Sequence, residues 1–203
     1  MFTIEHEGKE WELGRILGGL AWPGEKPGFA LVIGEDFYPR VGSGLFNGLY
    51  HYYLLDEFEE WDLGKLLTRC TDFTGYFKIK DFYARTSYKP SMDWLYSWNR
   101  NEKEEFYPSY AQGSKENGQI TWHINNLLHC ANKQTLHLLK GPKTEGYLRE
   151  IQQIDISTAT DMQFPSVAAL GYAVSSLTEY PPDLIEEKRV PYPKSGGDKM
   201  TGY

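Results

Sequence analysis

The feature that most constrains the fold is a continuous apolar run, Phe29 to Ile33, inside the segment GFALVIGED. A run of β-prone apolar residues without polar alternation is typical of a strand that is covered on both faces of a sheet. Glu35 and Asp36 follow the run, so the strand would end in two carboxylates. Because successive side chains of a strand point to opposite faces, at most one of the two can point into a given site. The sequence therefore predicts a central strand that ends in acids.

The segments around this strand predict a mixed α/β domain. Residues 2–27 predict a short strand, a turn and a connector rich in proline and glycine. Hydrophobic periodicity then predicts, up to residue 118, a glycine-rich loop (40–48), a strand (50–58), a helix (63–73), a strand within 78–85, a weakly periodic segment (93–110) and a loop (111–118). After Gln119 it predicts a helix, a strand (135–139) and a second helix lined by Tyr147, Leu148, Ile151 and Ile154. A closing helix (167–177) follows, with Pro165 in its first turn. We expect a mixed sheet with residues 29–36 in its middle and helices on both faces.

The composition suits one domain in a reducing compartment. A chain of 203 residues with 40% apolar residues can bury one sizeable core, which we place in residues 1–180. Residues 181–203 are rich in proline, charge and glycine, so we expect a disordered tail. No stretch reaches the roughly 20 apolar residues of a membrane helix, and the charged N-terminus has no signal core. Cys70 and Cys130 lack metal-ligand spacing, so we expect two free thiols. Free thiols are typical of proteins in a reducing compartment, and a cytoplasmic location is therefore expected.

Charge is unevenly distributed along the chain. The net charge of −7 argues against a constitutive nucleic-acid coat protein, which would be basic. Residues 56–62 (DEFEEWD) hold five acids and no base, whereas residues 76–100 are locally basic. An acidic centre that gathers cations beside a basic flank that holds phosphates suits a nuclease. The candidate phosphate contacts are Lys78, Lys80, Arg85 and Lys89.

Other kinds of site find little support in the sequence. Gly19 and Gly24 have the glycine spacing of a phosphate loop, but Glu25 displaces the lysine by one position, and Pro27 follows that lysine in place of the required serine or threonine. His123 and His129 are six residues apart, so they cannot share one ion on a helix. No local serine, histidine and acid pattern forms a nucleophile motif.

Seven segments carry a pattern that depends on their order in the chain: VIGED, HYYLLDEF and IKDFYART, followed by ITWHINNLL, TLHLLK, GYLREIQQI and FPSVAALGYAV. Together they resemble the nuclease domain of phage large terminase subunits, which has a ribonuclease H-like fold. The resemblance covers roughly residues 28–178 and rests mainly on the order of the elements. The family's ATPase domain has no counterpart in this sequence.

The resemblance implies a metal-dependent endonuclease that acts in viral genome packaging in the host cytoplasm. Its cofactor would be Mg²⁺ or Mn²⁺, and its partners would be double-stranded DNA and a separate packaging ATPase or other packaging proteins. Such two-metal cleavage needs three or four converging carboxylates, because both ions prefer oxygen ligands. The candidate metal ligands are Asp36, Glu35, Asp56, Asp81 and Asp161, of which Asp36, Asp81 and Asp161 are the candidate catalytic residues.

Two departures from the family pattern leave alternatives open. Arg85 and Ala168 stand where the family has acids. The chain could therefore be a degenerate ribonuclease H-like domain that binds DNA or a packaging protein, or an unrelated α/β domain with a similar order of elements. The sequence does not distinguish a DNA substrate from an RNA substrate.

Overall fold

The computed structural model describes residues 2–6, 8–37, 40–42, 45–138 and 154–177. Most of the predicted helix around residues 147–154 and the whole predicted tail at 181–203 lie outside the described residues.

A seven-stranded mixed sheet forms the centre of the domain. In chain order its strands are β1 (Phe2–His6), β2 (Lys9–Ala21), β3 (Gly28–Asp36), β6 (Tyr52–Glu60), β7 (Phe82–Ala84), β8 (Ser109–Tyr110) and β9 (Leu136–Leu138), while β4 (Arg40–Gly42) and β5 (Leu45–Leu49) pair separately. The strand order is β8-β7-β2-β3-β6-β9, and β1 pairs with β2. Strands β2, β3 and β6 are antiparallel neighbours, whereas β7 runs parallel to β2 and β8 runs parallel to β7.

Helices cover both faces of the sheet. Helices α1 (Leu63–Phe77) and α2 (Lys89–Glu102) enclose one apolar core, and α3 (Thr121–Asn132) and α4 (Pro165–Leu177) enclose the other. Alternate residues of β3 enter the two cores, so that Val32 packs on the α1 side and Ile33 on the α4 side. Every residue of β3 is buried. The predicted central strand and the predicted mixed α/β sheet are confirmed.

Strand β2 differs most from the prediction, which placed a turn and a connector in this region. It is a strand of 13 residues at the centre of the sheet. Its glycines suggest a turn in the sequence, but they serve close packing here. A Cβ on Gly18 would overlap the ring of Phe82, and a Cβ on Gly19 would overlap the backbone carbonyl of Ala169 in α4. These glycines let β7 and α4 approach the strand.

Three smaller predictions are also corrected. The expected loop at 40–48 contains the paired strands β4 and β5. The strand expected within 78–85 is limited to Phe82–Ala84, and the weakly periodic segment contains most of α2. Helix α2 buries Leu95 and Trp98, three residues apart, on one narrow stripe. A stripe this narrow is a weak periodic signal.

Among the described residues, no helix is both long enough and apolar enough to span a bilayer.

Candidate functional site at the ends of the parallel strands

The carboxyl ends of β2, β7 and β8 meet at one edge of the sheet. In open α/β sheets this is the edge at which ligands bind. Trp22 follows β2 and Arg85 follows β7, and the indole Nε1 of Trp22 donates a hydrogen bond of 2.9 Å to the Arg85 carbonyl oxygen. The parallel pairing of β2 with β7 therefore brings Arg85 to the edge where a functional site is expected.

Arg85 forms a buried ion pair with Asp161. The distances are 2.6 Å from Nε to Oδ2 and 3.0 Å from Nη2 to Oδ1, which is a bidentate arrangement. The side chains are 4% and 3% exposed. The remaining nitrogen, Nη1, donates to the carbonyl oxygen of Glu116 at 2.8 Å, and the guanidinium lies over the ring of Tyr88. The guanidinium is thus held on several sides.

Asp161 has a second donor and a close backbone contact. The hydroxyl of Tyr172 in α4 donates to Oδ2 at 2.9 Å. Gly118 has a φ of +77°, and a Cβ there would overlap Oδ1 of Asp161. Burial raises the pKa of the Asp161 carboxyl, while the Arg85 charge and the Tyr172 hydroxyl act to lower it. Burial and the neighbouring carboxylate raise the pKa of Tyr172 well above its usual value, so this hydroxyl stays protonated and donates.

Asp36 and Glu35 lie toward the opposite end of β2. Asp36 is buried and pairs in register with Leu13, whereas the other end of β2, at Ala21, pairs with Phe29. Because Arg85 follows the segment of β7 that pairs with Leu20, Asp36 is separated from Arg85 by most of the length of β2. Glu35 accepts hydrogen bonds from Arg15 at 2.6 and 3.0 Å.

Asp56 and Asp81 have partners of their own. Asp56 lies on β6, next to the middle of β3, and is 3.4 Å from Arg69. Asp81 comes just before β7, at the strand end opposite to Arg85, and accepts from the Ser109 hydroxyl at 3.2 Å.

The structure therefore does not bring the five predicted metal ligands together. Asp36 and Asp81 lie toward one end of the parallel strands, and Asp161 lies at the other end, paired with the guanidinium of Arg85. Within the described ranges no group of three or more His, Cys, Asp or Glu side chains has a geometry that could hold a metal ion. The described carboxylates do not fit the two-metal site that the resemblance implies.

The four predicted phosphate contacts are also separated. Arg85 is buried, which differs from the surface position expected for it. Lys78 and Lys80 are exposed and line one cleft of about 770 Å³ together with Arg15. Lys89 is exposed at the start of α2, which follows the carboxyl end of β7, whereas Lys78 and Lys80 precede β7.

Tyr172 and Gly118 complete the ion-pair site, and sequence reasoning missed both. Tyr172 lies in an apolar helix whose residues are nearly all buried, and a buried tyrosine generally needs a hydrogen-bond acceptor. That is the one signal that could have identified it. Gly118 lies in a polar loop sequence, where a glycine is ordinary.

Comparison with known proteins supports the fold. No protein-family model matches the chain, and no curated protein matches it. Two solved structures of large terminase from a thermophilic bacteriophage, crystal forms 3 and 2, are similar to it, with TM-scores of 0.52 and 0.50 and 14% sequence identity in both cases. The aligned regions cover 86% and 81% of this chain but only 42% and 39% of the terminase chain. The protein therefore spans less than half of the terminase length. The likeness and the sheet together indicate a ribonuclease H-like fold.

Proposed function

We propose that this domain is a ribonuclease H-like module of the phage DNA-packaging machinery that binds its partners and does not cleave DNA. The observation that supports the proposal most strongly is the ion pair of Arg85 with Asp161 at the carboxyl end of the parallel strands. The fold likeness to large terminase supports the packaging context, and a place in the host cytoplasm is part of the same proposal.

The ion pair argues against a divalent ion at Asp161. A metal ion would have to displace a guanidinium that makes two hydrogen bonds to the carboxylate. Leaving one partner of a buried ion pair unmatched costs about 3–5 kcal/mol. Two-metal cleavage also needs further carboxylates beside the first, and Asp36 and Asp81 lie too far along the strands to supply them.

Double-stranded DNA is the proposed ligand of the cleft that contains Lys78 and Lys80. Both lysines are exposed, and Arg15 adds a half-exposed guanidinium that Glu35 neutralises. Asp81 also lines the cleft, so the site is only weakly basic and contacts few phosphates, and DNA should bind weakly with a shallow dependence on salt. A packaging ATPase or another packaging protein is the second class of partner that we propose.

The test combines a cleavage assay with a binding assay on the full chain. Supercoiled plasmid incubated with Mg²⁺ or Mn²⁺ should stay uncut, whereas a duplex oligonucleotide should bind at low salt. Replacing both lysines (Lys78→Ala with Lys80→Ala) should weaken binding, and the slope of its salt dependence should fall by roughly one for each phosphate that is no longer bound. Lys133→Ala, an exposed lysine outside the cleft, is the matched control.

The metal-dependent endonuclease expected from the resemblance makes the opposite prediction. Plasmid nicking that requires Mn²⁺ or Mg²⁺ and is abolished by Asp36→Asn would support the endonuclease and overturn our proposal. A protein that neither cuts nor binds DNA would limit the proposal to a protein partner.

A further inference from the structure

A second cleft lies between α1 and α2. It has a volume of about 470 Å³ and lies between the start of α1 and the second half of α2. This is the face of the sheet opposite to α4, so the cleft is distinct from the Arg85 and Asp161 site. Its lining combines aromatic rings with charged and small residues, among them Asp62, Gly64, Lys65, Trp94, Trp98 and Glu102.

Trp98 supplies a hydrogen-bond donor that no described group accepts. Only 7% of the residue is exposed, and it lines the cleft. Among the described residues, none accepts a hydrogen bond from the indole Nε1, which lies beside Gly64 and is not one of the fully buried side-chain atoms without a partner, so it is open to the cleft. The indole N–H therefore suits a carbonyl oxygen of a ligand, such as that of a peptide bond.

The cleft also presents two carboxylates to a ligand. Asp62 caps α1, because its Oδ1 accepts a hydrogen bond of 3.1 Å from the backbone N–H of Lys65. Its negative charge interacts favourably with the partial positive charge of the helix N-terminus. Glu102 ends α2, where the helix dipole adds to its negative charge. Of the described residues that line the cleft, Lys65 is the one cation, so the two acids leave an excess of negative charge. A positively charged ligand is complementary to this surface.

Trp94 adds an exposed aromatic surface beside the acids. The residue is 42% exposed, and its ring lies against Gly64, where a Cβ would be 3.4 Å from the ring and 3.1 Å from Oδ1 of Asp62. Glycine at this position keeps the space between the ring and the carboxylate open. A guanidinium can stack on a tryptophan ring while it bonds to a carboxylate, because it is planar and weakly hydrated.

We propose that this cleft binds an arginine-containing segment of a partner protein. The arginine side chain stacks on Trp94 and pairs with Asp62 and Glu102. A backbone carbonyl of the same segment accepts the Trp98 indole N–H. This partner class goes beyond the proposed function, and its test does not depend on whether the domain cuts or binds DNA.

The test uses short blocked peptides as probes and the indole N–H signals of the full chain in ¹H–¹⁵N NMR spectra. The peptide acetyl-Gly-Arg-Gly-amide should shift the Trp94 and Trp98 signals in a saturable way, with a dissociation constant in the millimolar range that is ordinary for so small a ligand. The neutral citrulline peptide and the glutamate peptide should bind at least about 5-fold more weakly, because they lack the charge that Asp62 and Glu102 would pair with.

Conservative variants separate binding from folding. Asp62→Asn keeps a good N-cap for α1 but removes the charge, and Glu102→Gln removes the other charge. Each should weaken binding of the arginine peptide several-fold, and Trp98→Phe should do so while keeping a ring in the core. Glu105→Gln, an exposed acid that does not line the cleft, should bind like wild type.

Three results would overturn the proposal. The first is the absence of a saturable shift up to roughly 10 mM arginine peptide. The second is equal binding of the arginine, citrulline and glutamate peptides. The third is a duplex oligonucleotide that shifts the Trp94 and Trp98 signals when the arginine peptide does not, which would make this cleft a nucleic-acid surface.

Discussion

The guanidinium of Arg85 and the carboxylate of Asp161 meet in two parallel hydrogen bonds, although the residues are 76 positions apart in the chain. Arg85 follows β7, and Asp161 lies shortly before α4, so the pair ties the sheet to the helix layer on one face. A bidentate, charge-assisted pair is directional as well as strong. It therefore fixes the edge of the sheet at which a functional site would be expected.

Replacing Asp161 by asparagine should lower the free energy of unfolding by about 3–5 kcal/mol, because Arg85 would be left buried without a counter-charge. Urea denaturation followed by circular dichroism would measure the loss. Asp93→Asn, an exposed acid on α2, should change stability by less than about 0.5 kcal/mol. A loss below about 1 kcal/mol at Asp161 would mean that the ion pair contributes little to the fold.

Tyr172→Phe should remove the hydrogen bond to Oδ2 of Asp161 while keeping the ring in the core. Hydrogen bonds to charged groups contribute about 1.5–3 kcal/mol, and we expect a loss in that range. The same denaturation experiment on Arg85→Met, Tyr172→Phe and the double variant would measure their coupling. Additive losses would show that Tyr172 does not depend on the ion pair.

Gly19→Ala should destabilise the protein strongly, because the new methyl group would overlap the Ala169 carbonyl of α4. Overpacking of this kind typically costs about 1–3 kcal/mol, and a backbone neighbour that cannot rotate away puts it at the upper end. Gly75→Ala is the matched control, since nothing lies within 4 Å of its Cβ and it is in α1. That control should gain about 0.5–1 kcal/mol of stability from helix propensity, and equal effects at the two sites would contradict the packing of β2 against α4.

Stability should fall in mild acid because of His123, which is fully buried in α3. Burial lowers the pKa of His123 from 6.5 to about 4. The unfolded state then binds more protons than the folded state between these values, so stability is lost as the pH falls from about 6.5 to about 4. The full loss is on the order of 3 kcal/mol.

Urea midpoints measured between about pH 7 and about pH 4 would test this expectation. His123→Gln should flatten the pH dependence, whatever it does to stability at neutral pH. His129→Gln, an exposed histidine on the same helix, should keep the slope of the wild type. An unchanged slope in His123→Gln would show that other groups cause the acid sensitivity.

The candidate site was only partly predictable. The position of Asp36 and Glu35 at the end of the central strand was predicted correctly, because a run of β-prone residues followed by acids is a local signal. The position of β2 between β3 and β7 was not predicted, since the glycines of β2 have their packing partners in β7 and α4. The carboxyl end of the parallel strands, at Trp22 and Arg85, was therefore not recognised from the sequence.

Local sequence patterns were sufficient to predict the α/β class, the buried strand β3 and most of the helices, because periodicity and apolar runs are properties of neighbouring residues. Which charged groups meet depends instead on long-range packing. Arg85 and Asp161 each suggest a surface or metal-binding role when considered alone, and a buried ion pair is stable only when both partners converge out of water. That convergence requires the parallel pairing of β2 with β7 and the packing of α4 on the sheet, and no local pattern records contacts between residues so far apart in the chain.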